Sequence, residues 1–295
     1  MTTLPEAATP LIEEASSGFR RLDALRRFGA NRFAALASTL LIMLVMIAVL
    51  APLLTSYDPM AIGRERLMPP GMRHFFGTDN VGKDVFAGVL YGTRVSLLVG
   101  VLAGLTSLAI GVIVGAAAGY YGGALDSVLM RIAEFVQIMP RFFLAILIVA
   151  FFGGGVAKIV LVIGGLGWPE VGRIVRAQFL SLKEREVVEA ARAIGFGDRH
   201  IIFHEILPNA LAPAIVQASL DVSEAILLQA GLAFFGLSNP DMASWGEMLN
   251  RAQPFLRAAW WMSVFPGLAI FLTVLCFNLV GDGLNDMLSP EGRER

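Results

Sequence analysis

Asp221 and Glu224 stand three residues apart in an apolar run, about 60° around a helix, with Gln229 farther along the same run. Acidic groups at bilayer depth are costly, so the pair has to face a pore or a partner group. Substrate contact and structural pairing with a neighbouring helix are both compatible with it. Three further sets are of chemically competent type. His74, Asp79, Lys83 and Asp84 crowd one Gly-rich segment, His200 and His204 are an i,i+4 pair, and Cys276 is the only cysteine. None has the spacing of a reactive site. The histidine pair lacks the His-Glu-x-x-His order and a third obvious ligand, and Gly77, Thr78, Asp79 and Gly82 suit capped turns. Cys276 in an apolar run reads as an inert core thiol, and a single cysteine excludes an internal disulfide or a cysteine metal cluster. An intramembrane hydrolase needs an activated nucleophile or carboxylates on facing helices, which two acids on one helix do not provide. There is no Walker A loop and no Gly-x-Ser-x-Gly elbow, so no ATP-hydrolysing site and no bound cofactor are expected.

The densest charge lies in Ser181 to Pro208, SLKEREVVEAARAIGFGDRHIIFHEILP, between apolar flanks. Ser181 and Glu184 have capping-box spacing, which predicts a helix from about Leu182; Gly195 is suited to end it, and Asp198 to cap a second helix. A helix, a glycine joint and a second helix suit a docking surface, and suit a solvated charged face on good helix formers equally well.

The composition states what that surface belongs to. The chain is 56% hydrophobic and 16% charged, with mean hydropathy +0.69, against about 25% charged residues in soluble domains. It is an all-α polytopic membrane protein. A net charge of −1 gives no basic field for nucleic acid. The arginine-bearing first 32 residues lack the form of a cleavable signal and read as a cytoplasmic tail.

Residues 33–54 form a first span, and 55–93 an external segment with the turn signals YDP and MPPG. The second span is Val95 to Gly119, where Gly100, Gly104, Gly111, Gly115 and Gly119 give small-xxx-small spacing for close helix packing. Kinked helices are expected over Asp126 to Phe152 and Val156 to Val175, then spans at Asn209 to Leu237 and Trp261 to Gly281. Residues 94–282 are thus a five-helix core containing a loop at 176–208, and 283–295 a cytoplasmic tail. Six spans place fourteen Lys and Arg inside against seven outside; five spans place eight inside against twelve. The positive-inside rule therefore favours six spans, both termini and the loop being cytoplasmic.

EAARAIG at Glu189 to Gly195, followed by EILP at Glu205 to Pro208, resembles the EAA signature of permease subunits in ATP-binding-cassette importers. HFFGTDNVGKDVFAGVLYGTRVSL from His74, GLAFFGLSNPDMASWGEML from Gly231 and GDGLNDMLSP from Gly281 are similar to the dipeptide, oligopeptide and nickel branch. The match runs from about Arg26 to Pro290 and is most like the second permease of that branch, the DppC/OppC type. The resemblance implies the type I importer permease fold in the bacterial cytoplasmic membrane. It implies a homologous permease as partner, two ATP-binding subunits that use ATP and magnesium, and an extracytoplasmic solute-binding protein. ATPase coupling would fall to Glu189, Ala190, Ala191, Ile194, Gly195, Phe196, Asp198, Leu207 and Pro208. Asp221, Glu224 and Gln229 would be candidates for the translocation path. The sequence departs from the family at Glu205, where the pattern has isoleucine; Ile206 stands one step along. A stand-alone channel or secondary transporter would often carry internal repeats with matching broken helices, and the Pro140 and Pro169 regions share no evident similarity.

Overall fold

The computed structural model describes residues 31–238 and 242–288, and the expected tail before residue 31 and the residues after 288 lie outside them. Nine helices occur among the described residues: α1 Arg32–Leu54, α2 Val85–Tyr121, α3 Gly123–Ile138, α4 Arg141–Phe152, α5 Val156–Leu182, α6 Glu186–Ala193, α7 Asp198–Phe234, α8 Trp245–Ala252 and α9 Trp261–Leu288. Four of them, α1, α2, α7 and α9, are long and apolar enough to cross a membrane, and the bent pair α3 and α4 would make a fifth. Helix α5 has the length but carries Lys158, Glu170, Arg173 and Arg176.

Several boundaries differ from expectation. Helix α2 starts at Val85, ten residues before Val95, because Asp84 caps it: the carboxylate accepts from Ala87 N–H at 2.7 Å. Asp126 to Phe152 is not one kinked helix. Met139 is extended before Pro140, which rejects a helical predecessor, and α3 and α4 meet at 88°. Helix α5 runs past Val175 to Leu182, since Val175, Phe179 and Leu182 are all buried. Ser181 therefore sits inside its last turn and starts no capping box; the next helix begins at Glu186. Helix α7 begins at Asp198 instead of Asn209 and ends at Phe234. Helix α9 passes Gly281 and takes in part of the expected tail.

Helix α2 is the axis of the bundle. A Cβ on Gly115 would lie 2.4 Å from the Gly172 carbonyl oxygen of α5, and one on Gly100 would lie 2.5 Å from Ile226 Cγ1 of α7. The small-residue seam is thus shared between two neighbours, with α5 beside Gly111, Gly115 and Gly119 and α7 beside Gly100 and Gly104. Helix α9 packs on α7 and α1.

Both ends of α2 are anchored. At its start, His74 Nδ1 lies 2.7 Å from Asp84 Oδ2, Trp245 Nε1 donates to Val89 O at 3.0 Å, and Trp261 Nε1 donates to Thr78 O at 3.0 Å. Asp79 folds a turn by accepting from Val81 and Lys83 N–H groups. Burial, then the Arg251 guanidinium, holds the Lys83 ammonium below the usual lysine range. His74, Thr78, Asp79 and Asp84 are thus occupied in building a cap. At the opposite end of the bundle, Asn31 Nδ2 donates to Asp286 Oδ2 at 3.0 Å, placing the start of α1 and the end of α9 together.

Two backbone carbonyl sites that helix bonding leaves open are met by basic side chains, as an apolar surround favours. Pro52 has no N–H to return to Ala48 O, and Arg94 Nε donates there instead, with Arg94 Nη2 2.9 Å from Val49 O. Lys158 Nζ similarly reaches Phe152 O at 2.7 Å, at the end of α4.

The seam makes a direct expectation. Gly115→Ala should lower stability in detergent by about 1–3 kcal/mol through overpacking against backbone, whereas Gly165→Ala, with nothing within 4 Å, should not lower it. Thermal unfolding of the two purified variants reads the difference.

Candidate coupling loop and membrane-embedded polar cluster

Helix α6 ends in a Schellman motif built by the sequence around Gly195. Ile194 closes the helix, Gly195 takes φ +90°, its N–H bonds Arg192 O at 3.0 Å, and Phe196 N–H bonds Ala191 O at 3.0 Å. Gly195 thus ends the helix in the left-handed region, where a β-branched residue is strained. Asp198 does not cap the next helix: it is the first helical residue of α7, and Oδ1 accepts from the Tyr120 hydroxyl at 2.6 Å.

The expected coupling residues divide by side. Val188 and Ala191 turn inward onto a core with Phe179, Ile201 and Ile206, so Ala191 is packing and not surface. Glu189, Ala190, Gly195, Asp198 and Pro208 are exposed, and Leu207 is half-buried. Ile194 is 75% exposed and Phe196 45%. Glu189 makes no ion pair among the described residues. Two surface residues escaped the sequence reading: Val187 at 65% and Phe203 at 60% exposure. Their signal was available, since both are large apolar residues inside a charged stretch.

The Glu205 departure has a local structural counterpart. Residues Ile201–Ile206 form a π turn, in which Leu207 N–H bonds Ile202 O. Pro208 contributes by having no N–H for His204 O. In α-helical bonding, residues 201 and 206 would be about 140° apart; the wider turn lets both Ile201 and Ile206 bury fully. Glu205 is left half-buried, 3.7 Å from His200 Nε2. His200 and His204 are stacked, centroids 4.6 Å apart, beneath Phe196, with rings parallel instead of converging on a common point.

The second site lies in the helix interior. Asp221 and Glu224 are mid-helix in α7, and the structure brings them to Glu170 of α5 and Arg141 of α4. Arg141 Nη1 is 2.6 Å from Glu224 Oε2 and Nη2 is 2.8 Å from Glu170 Oε1. Gln217 Nε2 donates to both Glu170, at 3.1 Å, and Asp221, at 2.9 Å, and the Ser107 hydroxyl of α2 donates to Asp221 at 2.8 Å. Four helices therefore meet on one polar network. Carboxylate oxygens of Glu170, Asp221 and Glu224 lie within 4.8 Å of one another; the Arg141 guanidinium answers the two glutamates, and Asp221 is met by Ser107 and Gln217. Asp221 is buried, while the Glu170 and Glu224 side chains are 42% and 48% exposed. Sequence reading found Asp221 and Glu224 but not Arg141, Glu170 or Gln217. Gln229 does not join them; it is buried near Val99 and Ile159, with its Oε1 unpartnered.

The profile of the family described as binding-protein-dependent transport system inner membrane component matches residues 111–293, which include the loop and all three carboxylates. The chain belongs to this family. A second profile, the N-terminal transmembrane domain of oligopeptide transport permease C, matches residues 21–70. The dipeptide transport system permease protein DppC of Alkalihalophilus pseudofirmus is 40% identical, covering 97% of this chain and 95% of that one. The oligopeptide transport system permease protein OppC of Haemophilus influenzae is 38% identical over 98% and 94%, and the glutathione transport system permease protein GsiD of Pectobacterium atrosepticum 38% over 97% and 96%. Among solved structures, a chain of the MetNI methionine ABC transporter in an inward-facing form has a TM-score of 0.51 at 18% identity, covering 68% of this chain and 96% of that chain. That likeness is one of fold. As a member of the family, the permease is a multi-pass inner-membrane transport subunit and not an enzyme.

The cluster predicts a measurable coupling. Arg141→Gln should cost about 2 kcal/mol of stability in detergent, between the values for exposed and buried pairs, by leaving Glu170 and Glu224 unanswered. Adding Glu224→Gln should recover part of that loss in a double-mutant cycle read by thermal unfolding.

Proposed function

We propose that the permease imports peptides or related small solutes, and that Glu186–Asp198 with the π turn behind it docks on a cytoplasmic ATPase subunit. The observation that carries this reading is the exposed apolar set Val187, Ile194, Phe196 and Phe203 around a glycine-terminated helix. Large apolar side chains left exposed within one charged stretch of the chain fit a protein partner. Ala190 leaves little bulk beside them, and the Glu189 carboxylate is free to pair across the interface.

The names of the relatives support peptide-like cargo, dipeptide, oligopeptide and glutathione among them. The membrane arrangement is six spans, with α3 and α4 together and α5 each counted as one, and with the loop and both chain ends in the cytoplasm. Two features support it. The Asn31–Asp286 contact sets the ends of α1 and α9 together, opposite the 55–84 cap. The positive-inside count then gives that end its side. A homologous permease completes the pore, two ATP-binding subunits supply hydrolysis with magnesium, and a solute-binding protein delivers cargo to the cap.

The half-exposed Glu170 and Glu224 support a translocation path along the Arg141 cluster, because charged groups in the bilayer core must face water or protein and not lipid. In this path the arginine holds two helices through one side chain, so relative movement of α5 and α7 has to exchange its partners.

Sidedness has a direct test. A cysteine replacing Ile194 should react with an impermeant maleimide in inside-out vesicles and not in right-side-out ones, and a cysteine replacing Met72, 94% exposed in the cap, should do the reverse. Coupling has another. Gly195→Val or Glu189→Lys should reduce uptake of a labelled mixture of di- to pentapeptides by an order of magnitude while leaving insertion intact. Normal uptake by both would remove the loop's coupling role.

A further inference from the structure

A push on a short surface helix has to reach the membrane helices in order to move them. Helix α6 has only eight residues and joins α5 and α7 through turns. Its polar ties lead elsewhere, to the end of α2. The Tyr120 hydroxyl donates to Asp198 at 2.6 Å, the Arg192 guanidinium lies 5.9 Å over the Tyr120 ring, and Lys183 Nζ donates to Gly119 O at 3.2 Å. Arg192 of α6, with Lys183 before it and Asp198 after it, thus grips two consecutive residues of one helix.

Helix α2 is suited to carry the movement. Its 37 residues run unbroken without proline, about 55 Å, to the Asp84 cap and the His74 contact at the far end. Its seam with α5 and α7 leaves a rigid contact along the way. We propose that Tyr120 is the positioning residue that transmits displacement of the coupling loop into α2, and through α2 to the outer cap. This rests on the docking of Glu186–Asp198 proposed above.

The chemistry separates transmission from mere packing. Tyr120→Phe keeps the ring, the Arg192 guanidinium over its face and nearly all its volume, and deletes the hydroxyl with its bond to Asp198 and its interaction with Arg192. Asp198→Asn keeps an oxygen that can accept from that hydroxyl, whereas Asp198→Ala does not. The experiment uses the complete importer with its own partner subunits in proteoliposomes, measuring labelled di- to pentapeptides imported per ATP hydrolysed. Tyr120→Phe and Asp198→Ala should each lower this ratio about fivefold, equivalent to about 1 kcal/mol of coupling, and the double variant should be no worse than either. Asp198→Asn should retain most of the wild-type ratio. Wild-type ratios for Tyr120→Phe, or losses that multiply in the double variant, would overturn the relay. Cross-linking of an Ile194→Cys variant to the ATPase subunit, run alongside, separates the two readings. Cross-linking with an unaffected ratio refutes the relay alone, and absence of cross-linking in an active importer refutes docking and relay together.

Discussion

The close approach of α2 to its neighbours is the constraint on which the other features depend. In lipid, apolar surface drives helices together weakly, since the tails are as apolar as leucine, and association relies on packing and on polar contacts. Glycines at positions 100, 104, 111, 115 and 119 let α2 meet α7 and α5 at backbone distance. With α2 held between them, Ser107 can reach Asp221 and Gly119 can reach Lys183. A larger residue in the seam would move both polar sites away from their partners.

The charges inside the bundle follow from the same economy of contacts. Arg94, Arg141 and Lys158 are awkward for a membrane protein when read one at a time. Each answers a defined deficit: carbonyls beside Pro52, a pair of glutamates, and the last carbonyl of α4. Pairing of this kind lowers the cost of a charge at depth without making the site inert, because Glu170 and Glu224 keep accessible oxygen. The Arg141 network is accordingly a structural junction whose two glutamates stay half-exposed.

The loop around α6 combines stiffness and exposure. Its inward face, Val188 and Ala191 against Ile201, Ile206 and Phe179, is as well buried as the bundle core. Its outward face carries apolar side chains and Glu189, which has no ion pair among the described residues. A positive-φ glycine and a π turn, both local departures from the regular helix, allow the two faces to coexist over so short a stretch.

The sequence alone determined the class of molecule, the first and last spans to within a few residues at most boundaries, the glycine seam, the glycine that ends α6 and the pair Asp221 and Glu224. These depend on composition, hydropathic length and residues with one strong conformational preference, all of which act over a few neighbours. Tertiary structure decided the rest. The capping box at Ser181 failed because burial of Phe179 and Leu182 carries α5 through it, and Asp198 exchanged a cap for the Tyr120 hydroxyl 78 residues away. Arg141, Glu170 and Gln217 lie on three helices and share no sequence spacing. What brings them together is the packing of α4 and α5 against α7, and a charge in a low-dielectric surround finds its partner in space and not along the chain.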